Sequence, residues 1–151
     1  MSKSIPILIA AACGLLGFAA MAVLGPSDFN YANEPESRQQ KKLENIAKGF
    51  EIGFKTTSRG MAEINRIRAD AETDTISVDI RFIRADVEHA PANAIAEFRR
   101  EVYKNNCAFL DNKSLLDEGV TLRIRMTKPS GSALTNFTIN KDGCRPYLDA
   151  A

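Results

Sequence analysis

Hydrophobic and polar positions divide the chain into an apolar leader, a short polar link and a region of alternating patterns. Ile5 to Leu24 is almost unbroken apolar sequence. From Ser37 onward the spacing becomes helical: Leu43, Ile46, Ala47 and Phe50 fall on one stripe. Ser37 and Gln40 have capping-box spacing at its start, and Gly49 and Gly53 are expected to weaken its far end. Met61 to Asp70 then predicts a strand, Ala71 to Asp74 a turn, and Thr75 to Ile83 a second strand. In the second strand Ile76, Val78, Ile80 and Phe82 point one way, while Ser77, Asp79 and Arg81 point the other.

A second helix is expected from Ala92 to Cys107, with Ile95, Phe98 and Val102 as its buried stripe and fraying at Asn105-Asn106. Val120, Leu122, Ile124 and Met126 then alternate with threonines and arginines, Lys128 to Gly131 turns the chain, and Leu134 to Asn140 returns. The order helix, strand, strand, helix, strand, strand predicts an α+β domain. Its expected sheet is antiparallel, four-stranded and covered on one face by helices.

The leader governs the address. About 20 apolar residues match the hydrocarbon thickness of a bilayer. Three fates are open for it. It can be an uncleaved anchor, the expected one. It can be a signal peptide using Ala20-Met21-Ala22, or a lipoprotein leader acylated at Cys13. The apolar run exceeds a usual signal core, and the lipobox pattern around Cys13 is faint. Lys3 and the terminal amine favour an N-terminus that stays in the cytoplasm. The expected arrangement is a single-pass protein of the bacterial inner membrane. Residues 1–24 form the anchor or signal segment and contact lipid through residues 5–24. Residues 25–36 link it to a periplasmic domain of residues 37–151.

Charge and composition narrow the chemistry by exclusion. Twenty basic side chains against nineteen acidic ones supply no basic excess for nucleic acid. His89 is the single histidine, which removes any histidine-rich metal site. No phosphate-binding glycine loop, nucleophile elbow or metalloprotease spacing is present. The alternating acids Asp70, Glu72 and Asp74 lack the glycine and closing glutamate of a calcium loop. The expectation is therefore a non-enzymatic domain with no cofactor and no metal, whose partner is another envelope protein.

Two features remain. Cys107 and Cys144 both fall outside the membrane, in an oxidising space, and a disulfide between them is expected. Closing that loop stabilises by about 4 kcal/mol on the chain-entropy account. Arg66, Arg68, Arg81, Arg123 and Arg125 lie on the water-facing side of the expected strands, and form a candidate partner-binding basic face.

The early helix and hairpin, the stretch from Cys107 through Leu115-Leu116-Asp117-Glu118-Gly119-Val120-Thr121-Leu122-Arg123, and the ending Phe137-Thr138-Ile139-Asn140 before Cys144 together resemble a group of small bacterial envelope proteins. That group includes secretin pilotins of the type II secretion β-class. The resemblance implies a compact α+β fold and a carrier or chaperone role toward an envelope protein. Pilotins of this kind are usually lipoproteins that carry secretin subunits to the outer membrane. This leader departs from their lipobox.

Overall fold

The computed structural model describes residues 36–58 and 60–149. The leader, and with it the expected membrane helix, lies outside the described residues. Among those described, no helix is long and apolar enough to cross a membrane.

Helix α1 (Glu36–Ser58) opens the domain. Strands β1 (Ala62–Asp70) and β2 (Thr75–Phe82) follow as a hairpin. A 3-10 turn (Ala85–His89) leads to helix α2 (Ala92–Asn112). Strands β3 (Thr121–Thr127) and β4 (Ala133–Ile139) form the second hairpin, and helix α3 (Lys141–Leu148) closes the chain.

The four strands form one sheet in the order β1-β2-β3-β4. It is mixed, and this corrects the antiparallel sheet expected from two hairpins. β1 with β2 and β3 with β4 are antiparallel, but β2 and β3 run parallel. The reason is the connection. Helix α2, roughly 30 Å long at 1.5 Å per residue, carries the chain back along the sheet. β3 therefore starts at the same end as β2, the usual outcome of a helical crossover.

One sheet face carries the core. Ile76, Val78, Ile80 and Phe82 of β2 are buried beside Leu122, Ile124 and Met126 of β3 and Phe137 and Ile139 of β4. α1 lies mainly over β1, and α2 lies against β4 and α3. The stripe Leu43, Ile46, Ala47 and Phe50 of α1 is buried, as is Phe54 one turn on. Phe50 meets Phe109 of α2 edge to face, with ring centres 6.2 Å apart. Both glycines of α1 are buried, and the helix runs through them to Ser58 instead of ending near them.

Three more details go beyond the local pattern. Gln40 reaches out of α1. Its side-chain amide donates to the carbonyl of Ala69 (3.1 Å) and accepts the N–H of Ala71 (3.0 Å), tying the helix to the β1–β2 turn. Helix α2 continues to Asn112 because Asn106 is wholly buried instead of frayed, its amide donating to the Val102 carbonyl at 2.8 Å. Helix α3 lies where the sequence pattern predicts no element, and it contains both Gly143 and Pro146. Asn140 starts it by accepting the Gly143 N–H at 2.8 Å, an ordinary N-cap contact.

Two long-range ties hold helices to the rest. The disulfide joins Cys107 of α2 to Cys144 of α3, with both residues fully buried and Cα atoms 5.4 Å apart. Lys42 of α1, almost wholly buried, pairs with Glu118 in the segment before β3. A buried charge is tolerated only when so paired.

Candidate binding face

Among the described residues, no helix lies over the opposite face of the sheet. The side chains on it follow from register. Arg68 of β1, Ser77 of β2, Arg123 of β3 and Thr138 of β4 stand opposite one another in one row across the sheet. The next row holds Arg66, Asp79, Arg125 and Asn136. Beyond it Glu63 stands opposite Arg81, which in turn stands opposite Thr127.

A bulge brings β1 into this arrangement. Ile64 pairs with Ile80 but Arg66 pairs with Asp79, so Asn65 is an extra residue. Ala62 and Ile64 precede the bulge on the core side, and Ile67 and Ala69 regain that side after it. Strict alternation from Ile64 would have aimed Arg66 and Arg68 into the core. The spacing of three between Ile64 and Ile67 is the sequence trace of the bulge.

The five arginines, Arg66, Arg68, Arg81, Arg123 and Arg125, are all exposed. Two have carboxylates nearby. Arg125 donates from Nε to Asp79 at 3.1 Å, and Arg81 lies 3.9 Å from Glu63. Among the described residues no carboxylate pairs with Arg66, Arg68 or Arg123. Counting Asp79 and Glu63 against five arginines leaves the face positively charged. The other nearby acids are committed elsewhere. Asp70 accepts the Glu72 N–H at 3.0 Å, and Asp74 accepts from Gln39 at 2.6 Å.

The sheet has two free edges, and α2 closes one. The Tyr103 hydroxyl accepts the Thr138 N–H, and Arg99 donates to the Asn136 carbonyl and the Thr135 hydroxyl. Arg99 also lies over the Phe137 ring, 5.1 Å from its centre. Neither residue was singled out in the sequence, because nothing local marks a helix side chain as an edge cover. Ser77 and Thr138 were likewise missed as neighbours of the arginines, since their grouping depends on register across strands.

The remaining polar features are structural. His89 is exposed at the end of the 3-10 turn. Glu88 beside it holds the β3–β4 turn by accepting from the Ser130 hydroxyl (2.7 Å) and N–H (3.1 Å), which lowers its pKa below the usual 4.5. Among the described residues no cluster of three or more histidine, cysteine, aspartate or glutamate side chains is placed to hold a metal ion.

No protein-family model matches the sequence, and no curated protein is significantly similar to it. A solved structure shares its fold. A pilotin of the Vibrio vulnificus type 2 secretion system, EpsS, aligns with 72% of this chain and 90% of its own, at 16% identity and a TM-score of 0.51. The Type II secretion system pilotin AspS from Vibrio cholerae aligns with 72% of this chain and 97% of its own, at 22% identity and a TM-score of 0.45. The resemblance to pilotins read in the sequence thus extends to the fold.

Proposed function

We propose that this chain is a non-enzymatic accessory protein of the bacterial envelope, and that its folded domain binds another envelope protein in the manner of a pilotin. The observation that carries the reading is the sheet face left open by the described residues, with three exposed arginines that none of their carboxylates pairs with. Arginine forks recognise carboxylates and other planar anions, and a charged open surface steers a partner toward itself. The shared fold with a type 2 secretion pilotin supports the same role. So does the apolar run Ile5 to Leu24, whose length matches the hydrocarbon thickness of a bilayer.

The test is partner capture in cells. A photoreactive residue placed at Ser77 should cross-link an envelope protein, and one placed at exposed Lys48 of α1 should not. Changing Arg123 and Arg125 to Glu should leave the domain folded and abolish that capture. Unchanged recovery of the partner would remove the sheet face from the proposal.

The leader separates two forms of this role. A retained Met1 or Ser2 in the intact mass of membrane-extracted protein makes it an anchored accessory of the inner membrane. A chain beginning near Val23, or at an acylated Cys13, makes it a mobile carrier.

A further inference from the structure

We propose that the row Arg68–Ser77–Arg123–Thr138 is a carboxylate-binding track, occupied by an extended acidic segment of the partner protein. The inference deepens the reading of the sheet face as a contact surface and rests on it. Its physical basis is the composition of the row. All four side chains can donate hydrogen bonds, and none carries negative charge. The neighbouring row differs, because Asp79 sits in it and engages Arg125. Asp70, two residues after Arg68 and on the same side of β1, accepts the Glu72 N–H of the adjoining turn.

Geometry sets two arginines of the row on either side of a short residue. Arg68 and Arg123 stand on either side of β2, so their Cα atoms are about 10 Å apart, two strand spacings. Ser77 between them is short and half-buried. Two guanidinium forks can therefore converge above its hydroxyl. Alternate residues of an extended segment place carboxylates about 7 Å apart on one side, within the combined reach of the two arginine stems.

The occupant follows from exposure and charge. A single small anion gains little at an open, hydrated surface. Several carboxylates on one chain make the later contacts intramolecular and raise the affinity. A uniformly anionic bilayer laid on this face would meet Asp79 and Glu63 as well as the arginines. A peptide can present acids to one row and neutral side chains to the next.

The experiment uses the full-length chain in neutral detergent at low ionic strength. The probe is a fluorescein-labelled peptide of alternating Glu and Thr, followed by anisotropy. Arg68→Gln with Arg123→Gln should weaken binding about tenfold or more, as the loss of charge-assisted hydrogen bonds requires. Arg100→Gln, an exposed change on α2, should not weaken it. The corresponding Gln–Thr peptide should not bind. Arg68→Lys with Arg123→Lys keeps the charge but loses the forks, and should show an intermediate loss. Equal binding of the Gln–Thr peptide, or unchanged affinity in the Gln double variant, overturns the track. So does binding to phosphatidylglycerol vesicles without binding to the peptide, or competition by inorganic phosphate as effective as by unlabelled peptide. The two readings fail separately. Partner capture in cells that survives Arg68→Gln with Arg123→Gln overturns the track alone, whereas absence of capture by the unaltered protein overturns the binding role itself.

Discussion

The hydroxyl of Tyr103 accepts the backbone N–H of Thr138 at 3.3 Å, so a helix side chain occupies a position that another strand would otherwise take. Unpaired edge groups are templates for strand addition, and proteins commonly cover them. Tyr103 is itself held by stacking on Tyr147 of α3, with ring centres 5.3 Å apart and planes within 4°. Edge protection at β4 therefore depends on α3 staying docked.

Tyr103→Phe should keep the ring packing and lose the acceptor, lowering stability by about 1 kcal/mol. Combining it with Arg99→Met should expose the β4 edge. Light scattering should then show concentration-dependent association that the unaltered protein lacks. A monomeric, equally stable double variant would mean that the edge needs no cover.

Cys144→Ser should release α3 from α2. With a loop-entropy contribution near 4 kcal/mol as an upper figure, the melting temperature should fall by on the order of 10 °C under oxidising conditions. Reductant should lower the unaltered protein toward the variant and leave the variant unchanged. Identical melting of the two forms before reduction would contradict the bridge.

Asn106 is wholly buried, and its side-chain oxygen has no hydrogen-bond partner among the described residues. Leaving such an acceptor unsatisfied costs roughly 1–3 kcal/mol. Asn106→Leu, similar in size, should therefore be neutral or stabilising in urea unfolding. A loss of several kcal/mol would show that the amide is satisfied and structurally required.

Glu88 carries the pH prediction. Its hydrogen bonds from the Ser130 hydroxyl and then the Ser130 N–H, with Lys128 nearby, hold its folded pKa below 4.5. A depressed folded pKa means a contribution present above the unfolded value and lost as pH falls through the folded one. The melting difference between the unaltered protein and Glu88→Gln should be steady from neutral pH down to about 5 and shrink below about 4.5. A difference independent of pH would mean that the carboxylate charge is not what holds the turn.

Much of the fold was readable locally. Period-two alternation in Thr75 to Phe82 and Thr121 to Thr127 marked both central strands and their buried sides. The stripe from Leu43 to Phe50 marked the buried side of α1. Where local pattern fell short, the cause is shared. Asn105-Asn106 reads as a fraying point, yet a buried environment around Asn106 sustains the helix through it. Lys141–Leu148 carries no local helix signal, with Gly143 and Pro146 inside it, yet Asn140, the disulfide and the Tyr147 stack hold it helical. Lysine is a residue type that usually stays in water, yet Glu118, distant in sequence, lets Lys42 be buried.

Residue order alone established two of the helices and the four strands, the inward and outward sides of β2 and β3, the apolar leader and the two candidate disulfide partners. Each of these follows from short-range periodicity or from residue chemistry. Assembly in space set the parallel joining of β2 to β3, the bulge at Asn65 and the gathering of Arg68, Ser77, Arg123 and Thr138 into one row. These depend on strand register and on the path of α2. They arise from contacts between residues tens of positions apart, whose free energy appears only when the whole sheet closes over one core.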